Sequence, residues 1–175
     1  MLLDLLKQRS DRLHDRWVEE ALAAYPKRTA AVWTREKDRF ANPVGHSLRE
    51  GTRRLLDGLL EGAEPRSLRD GLDEIVRIRA VQRLSPAQAL AFVFRLKAVV
   101  RDELASDPDG VAADELVELE KRIDDLGLVA FDLFTHYRER VLELRMEELK
   151  RTIPWVVGRS ANAAGEEGVE QGGTP

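Results

Sequence analysis

The chain contains no cysteine, and this absence excludes several kinds of chemistry at once. Disulfide bonds, zinc–thiolate centres, thiol nucleophiles and iron–sulfur ligation by this chain cannot occur. Histidine is scarce as well: the three histidines, His14, His46 and His136, show no metal-ligand spacing. The sequence also lacks a phosphate-binding loop, a dinucleotide-binding glycine motif and a serine-hydrolase elbow. We therefore expect a protein that is not an enzyme and that has no metal or cofactor.

Long hydrophobic runs and a charge excess are absent too. Six apolar residues in a row, Ala89 to Phe94, fall far short of the roughly 20 that a membrane-spanning helix needs. The first residues, Met1-Leu-Leu-Asp-Leu-Leu, lack the basic segment and the apolar stretch of a secretory signal, so we expect none. The 28 basic and 32 acidic residues leave a formal charge of −4, which provides no net attraction to nucleic acid. We expect a cytoplasmic protein with no direct membrane insertion and no nucleic acid partner.

The most informative stretch runs from Leu72 to Leu104 and contains a helix start. Ser85 is a good N-cap, and Pro86 fits the first helical position. From Ala87 the chain is apolar on nearly every side, as in helices that are enclosed by neighbours. The sequence therefore predicts that residues 86–105 form the buried central helix of an all-α bundle.

Helical spacing of apolar residues predicts four further helices. Tyr25-Pro26 ends the first helix, Asn42-Pro43 begins the second, and Pro154 stops the last. The segment 27–41 is expected to be a less regular connection, with at most a short helical turn, that packs down through Val32, Trp33 and Phe40. Residues 1–153 are predicted to form one helical domain and residues 154–175 a Gly-rich, largely disordered tail. The predicted helices cover 2–24, 43–60, 66–82 and 113–152.

Two polar residues, Arg79 and Gln82, fall near the inward face of the third predicted helix. They either lie at the helix rim with solvated heads, or one of them satisfies interior polar groups or lines a small ligand pocket. His136 flanks the inward face of the last helix and is a third candidate polar residue. The aromatic set is expected to be core rather than a cofactor site: Phe92, Phe94, Phe131 and Phe134.

The outer part of the last helix is crowded with charges of both signs but keeps apolar residues near its inward phase. A partner helix would cover such a strip, and two-fold symmetry is the commonest way to supply one. The alternative is that the strip folds back on the first helix, which also needs cover. The candidate interface residues are Tyr137, Val141, Leu144 and Trp155, the last as a docking point on the domain or on a partner.

Three sequence segments resemble one known family, the N-terminal domains of RsbR-type RsbT co-antagonists. These segments are Phe40-Ala-Asn-Pro-Val-Gly-His46, Ile78-Arg-Ala-Val-Gln82, and Ser85 to Phe92 followed by Leu96-Lys97. The similarity extends over roughly residues 1–150. It implies a globin-like but haem-free sensory domain, usually dimeric, that transmits a signal through its last helix.

The resemblance stops short of the output part of those proteins. RsbR-type proteins continue into a STAS domain that meets the kinase RsbT in the stressosome, whereas this chain ends in a Gly-rich tail. We expect a non-enzymatic sensory or regulatory module of bacterial signalling that biases a homodimer. The alternative is an accessory interaction subunit of a larger cytoplasmic or membrane-associated complex, bound to an unidentified protein partner. A haem-binding globin is less favoured, because the central helix contains no histidine.

Overall fold

The computed structural model describes residues 2–35, 38, 40–105 and 113–166, with side chains described as far as Thr152. Within these residues the chain forms seven α-helices and no strand, which confirms the predicted all-α fold. A short 3-10 helix, Pro65–Leu68, precedes the fifth α-helix. No described helix combines the length and apolarity needed to cross a membrane. The helices are α1 Leu2–Gln8, α2 Ser10–Leu22, α3 Lys27–Arg35, α4 Pro43–Glu61, α5 Arg69–Val81, α6 Pro86–Leu104 and α7 Ala113–Glu166.

The helix starts predicted from local signals are confirmed. The Ser85 hydroxyl accepts a hydrogen bond from the Gln88 amide at 3.2 Å, and the Gln88 side chain accepts one from the Ser85 amide at 3.0 Å. This reciprocal capping box satisfies two donors that would otherwise be orphaned. The Asn42 side chain likewise accepts from the Gly45 amide at 2.8 Å. At the other end of α4, Gly62 adopts φ +87°, which favours glycine.

Two sequence predictions about the N-terminal region are wrong. Residues 2–24 form two helices rather than one, because the Arg9 amide bonds back to Leu6 at 3.1 Å and the chain turns there. The segment 27–41 contains a regular helix, α3, but that helix buries no residue fully. Its Val32 is 59% exposed and Phe40 is 92% exposed, so only Trp33 packs down.

The last helix continues beyond its predicted end. Its backbone is helical as far as Glu166, so the prediction that Pro154 stops it is wrong. A proline inside a helix removes one hydrogen bond and costs about 3 kcal/mol, but the helix can continue past it. The backbone of residues 154–166 is helical, and the disorder expected of residues 167–175 stays a prediction, because they lie outside the described residues.

The chain divides into two compact units, Met1–Tyr137 and Arg138–Pro175, called unit 1 and unit 2 below. Unit 1 contains a single hydrophobic core built from α1, α2, α4, α5, α6 and the first part of α7. Helix α6 lies at its centre, with Phe92 1% exposed and Val93 fully buried. Trp17 of α2 stacks near Phe92 and donates a hydrogen bond to the Phe92 carbonyl at 2.7 Å.

Glycines permit the close approach of α4 to α5. A Cβ on Gly51 would lie 2.8 Å from the Ile75 side chain and 3.0 Å from the Gly71 carbonyl oxygen. A Cβ on Gly58 would contact the end of the Leu68 side chain. Two glycines seven positions apart in one helix predict a close crossing with another helix, and the central helix is the expected partner. The crossing takes place instead with α5 and the 3-10 helix before it.

One side of α6 is not enclosed. Phe94 is 44% exposed and Phe131 of α7 is 53% exposed, so the expectation that both belong to the core is wrong. The Phe94 ring lies over Gly127, where a Cβ would collide with it. Phe92 and Phe134, at 1% and 3% exposed, are core residues as predicted.

Candidate functional site

The structure buries Arg79 completely, with 1% of the residue exposed. One terminal nitrogen donates to the Ala21 carbonyl at 2.6 Å, and the other donates to the Ala89 carbonyl at 2.9 Å. The guanidinium carbon also lies 4.8 Å from the Phe92 ring centre and 5.3 Å from that of Tyr25. The sequence leaves open whether the Arg79 guanidinium is solvated at the helix rim or satisfies polar groups in the interior. The structure shows the second arrangement.

The charge of this arginine has no carboxylate counterpart among the described residues. Burial lowers the pKa of Arg79 below its usual value, and the neighbouring Tyr25 partly offsets that effect. A guanidinium nevertheless stays protonated in proteins. Its Nε atom is buried and makes no hydrogen bond. Carbonyl dipoles, the Tyr25 side chain and the face of the Phe92 ring therefore compensate this buried cation, without a carboxylate.

A cavity of about 200 Å³ adjoins Arg79, between α2 and α6. Two further side chains that line it carry charge: Arg95 and Glu20 form an ion pair with N–O distance 3.4 Å. The remaining wall is mostly small and apolar. Its lining residues are Glu20, Ala21, Ala23, Ala24, Arg79, Gln88, Ala91, Phe92 and Arg95.

Gln82 lies close to this arginine but outside the cavity wall. Its side-chain oxygen accepts a hydrogen bond from the Tyr25 hydroxyl at 2.8 Å, and Tyr25 in turn faces Arg79. Burial is the main reason that the pKa of Tyr25 is raised. Gln82 thus orients the tyrosine. The structure brings together Arg79 and Gln82, through Tyr25.

The third polar candidate, His136, is not part of this group. It is exposed on α7, where its ring meets the edge of Tyr137 at 5.4 Å. The Tyr137 hydroxyl donates to Asp73 at 2.6 Å, and this hydrogen bond is the main cause of the raised pKa of Tyr137. Tyr137 therefore holds α7 to α5 within unit 1.

The candidate interface residues in unit 2 are partly accessible. Val141 is half-buried and Leu144 is 47% exposed. The Trp155 side chain lies outside the described side chains. The most exposed large apolar residues of this segment are different ones: Leu142 at 58%, Met146 at 55% and Leu149 at 57%. They are spaced i, i+4, i+7 and so share one helix face, a signal that periodicity on the outer side of the helix could have revealed.

Two other features were not anticipated from the sequence. Glu103, near the end of α6, is 1% exposed and lies 3.0 Å from Arg12 and 3.8 Å from Arg16, while Arg9 donates to its backbone carbonyl at 3.1 Å. A second feature is an apolar groove of about 590 Å³ on the open side of α6. Its lining residues are Pro86, Ala87, Leu90, Ala91, Phe94, Arg95, Ala98 and Phe131.

The histidines are dispersed. His14 is 7% exposed, and its Nε2 lies 2.9 Å from the Thr52 hydroxyl and 3.0 Å from the Arg49 carbonyl. His46 lines a separate polar pocket near the start of α4. Within the described part of the chain, no cluster of three or more His, Asp or Glu side chains is arranged to hold a metal ion.

Comparison with known proteins identifies the family of the chain. A search of curated proteins matches an uncharacterized protein of Archaeoglobus fulgidus, 25% identical over 135 residues, which covers 75% of this chain and 79% of that protein. No solved structure matches the chain. The family model of the RsbT co-antagonist protein RsbRD N-terminal domain matches residues 11–149. That range spans α2 to α6 and most of the side chains described in α7. The chain therefore belongs to the RsbRD N-terminal domain family, as its sequence motifs predict.

Proposed function

We propose that this chain is a non-enzymatic regulatory module of signalling, which responds to a ligand or partner in unit 1 by changing a homodimer formed through α7. Membership of the RsbRD N-terminal family supports a signalling-related regulatory role. The single observation that carries the dimer is the exposed stripe of Leu142, Met146 and Leu149 in unit 2. Three large apolar residues on one face of a helix are the pattern that a second helix covers.

The charges beside this stripe favour a second helix as its partner, in preference to a purely apolar surface. Residues 138–151 include five arginine or lysine residues and four glutamates beside the apolar positions. Arg140 pairs with Glu143 at 3.0 Å on the same helix. Flanking charges of both signs are typical of the edges of a helix–helix interface, where they set partner orientation.

Light scattering on wild-type protein and on two double variants tests the proposal. Leu142→Glu with Leu149→Glu changes the more exposed face, and Val141→Glu with Leu144→Glu changes the face predicted from the sequence. We expect a dimeric wild type, a monomeric Leu142/Leu149 variant and a smaller loss with the Val141/Leu144 variant. Circular dichroism checks that both variants keep their helices. A monomeric wild type would rule the dimer out, and dimers in both variants would rule out α7 as its interface.

A second candidate function is an accessory interaction subunit, and one observation favours it. The groove beside Phe94 and Phe131 is apolar, and both rings are about half exposed. A partner subunit that buries this groove would not require any ligand. Pull-down from native lysate with wild type and with Phe131→Glu as bait separates the two functions. A partner lost only from the Phe131→Glu bait would favour the accessory subunit.

A further inference from the structure

The cavity beside Arg79 combines a buried cation with apolar walls. The guanidinium is fully desolvated, and the groups around it are two backbone carbonyls and two aromatic rings, none of which carries a full negative charge. A buried cation without a counter-charge is costly for a protein to keep. The carbonyl bonds explain how Arg79 joins α2 to α6. They leave its buried Nε without a hydrogen bond, and they leave a positive charge behind the wall of the cavity.

Two more groups on the cavity wall can bind an anion. Arg95 is 60% exposed, and its distance of 3.4 Å to Glu20 is longer than the 2.7–2.9 Å of a charge-assisted hydrogen bond. Arg95 is therefore only loosely engaged. The Gln88 side-chain oxygen is used by the capping box of α6, which leaves its NH2 group as a donor. The cavity thus has two cations and an amide donor against one carboxylate, Glu20.

The other lining residues indicate what kind of group an anion bound here would carry besides its charge. Ala21, Ala23, Ala24, Ala91 and the Phe92 ring form an apolar surface. That surface would offer no hydrogen bonds to a phosphate, but it suits a short alkyl chain. The volume of about 200 Å³ equals the liquid volume of roughly six or seven water molecules at about 30 Å³ each.

We propose that this cavity binds a small aliphatic monocarboxylate, whose carboxylate is held by Arg95 and the Gln88 amide and is attracted by the buried positive charge of Arg79. The alkyl chain lies against the alanines and Phe92. Glu20 competes with the ligand for Arg95 and limits its affinity. This site would supply the signal of the proposed regulatory function, and its biological role rests on that function, although binding itself needs no dimer.

Titration of the full chain with sodium butyrate tests the site, with sodium chloride at equal ionic strength as the control. The indole NH of Trp17 is a local probe, because it donates to the Phe92 carbonyl at 2.7 Å. We expect a saturable shift of its NMR signal with butyrate and none with chloride. The same titration with inorganic phosphate should give weaker binding. Absence of a saturable butyrate shift, or tighter binding of phosphate, would overturn the proposal.

Three variants locate the binding and one serves as a matched control. Arg95→Gln should raise the butyrate Kd about tenfold or more, the effect of losing one hydrogen bond to a charged group. Arg101→Gln should leave the Kd unchanged, since Arg101 is an exposed α6 arginine that pairs with Glu120 instead. Glu20→Gln should lower the Kd, and Ala91→Leu should abolish binding by filling the cavity. Equal effects of Arg95→Gln and Arg101→Gln would contradict the site.

The failure of this site and the failure of the dimer remain distinguishable. Light scattering reports the mass, and the Trp17 signal reports the cavity. A dimer without a butyrate response overturns the carboxylate site and leaves the regulatory proposal intact. A butyrate response in a monomer supports the site and removes the dimer.

Discussion

At the scale of single residues, two phenylalanines two positions apart on α6 have different roles. Phe92 is 1% exposed, whereas 44% of Phe94 is exposed. Replacing Phe92 by alanine should lower the free energy of unfolding by about 3–5 kcal/mol, because the surrounding core cannot fully close the space that the removed ring leaves. Phe94→Ala should cost less than half as much. Urea denaturation measures both, and equal losses would mean that Phe94 is as enclosed as Phe92.

The lowered pKa of the buried His14 should make the stability of the protein depend on pH. Burial, together with the positive charge of Arg53, lowers the pKa of His14 below 6.5. The folded protein therefore binds a proton at this ring less readily than the unfolded chain does. The stability that depends on the neutral ring is complete above about pH 6.5 and is lost as the pH falls below that value.

Urea denaturation between about pH 7.5 and pH 5 measures this effect, above most of the carboxylate titration. The wild type should lose stability across the range, and His14→Gln should lose much of that slope. His136→Gln is the matched control, since His136 is exposed, and it should follow the wild type. A wild type with constant stability would contradict the role of His14.

Arg79 marks the limit of residue-level prediction from the sequence. Its phase places it near the inward face of α5, which fits a solvated rim position as well as a buried one. The deciding partners are the carbonyls of Ala21 and Ala89, 58 and 10 positions away in the chain. Glu103 is similar, because the arginines beside it come from α2 and from the turn before it. Backbone acceptors leave no pattern in a sequence.

At the scale of helices, the crossing of α4 and α5 depends on Gly51. Alanine there would place a Cβ 3.0 Å from the Gly71 carbonyl, a backbone atom that cannot turn aside. Gly51→Ala should therefore lower the free energy of unfolding by about 1–3 kcal/mol, despite the better helix propensity of alanine.

Gly58→Ala is the matched control on the same helix. Its Cβ would meet the end of the Leu68 side chain, which can change rotamer. The gain in helix propensity of up to about 1 kcal/mol should then leave this variant near neutral. Thermal unfolding compares the two variants. A Gly51→Ala protein as stable as Gly58→Ala would show that the helices can separate without cost.

Helix starts were predictable where the signal is local. Ser85 and Asn42 cap helices with their own side chains, so a few residues suffice to identify each start. The break at Arg9 has no such signal, because the Arg9 side chain makes no capping hydrogen bond at the start of α2. Pro154 was a misleading signal, since one lost hydrogen bond did not end α7.

At the scale of the whole molecule, we expect the purified protein to be colourless. The histidine that is most buried, His14, already uses its Nε2 for contacts with Thr52 and Arg49. Helix α6, at the centre of unit 1, has no histidine to offer a haem iron. Absorption spectroscopy after dialysis measures this. A persistent Soret band that disappears with His46→Ala or His136→Ala would contradict the expectation.

The all-α fold and the family were predictable because both depend on patterns spread along the chain. Apolar residues at helical spacing indicate the helices, and three short motifs indicate the RsbRD N-terminal family. The open side of α6 was not predictable. Phe94 and Phe131 are as apolar as core residues, and only the arrangement of α6 and α7 shows that they remain exposed.

Helix α1 has a practical consequence for anyone who trims this protein to its family boundaries. The family match begins at residue 11, but Leu2 and Leu6 before it are fully buried in the core. The Leu2 amide also donates to Glu115 at 2.6 Å, and Arg9 bonds to Glu103. A fragment that starts at residue 11 would lose about 3–6 kcal/mol from the two leucines alone, at about 1.5–3 kcal/mol each. Because domains are stable by only about 5–15 kcal/mol, such a fragment should express poorly or melt early, whereas one that starts at residue 1 should not.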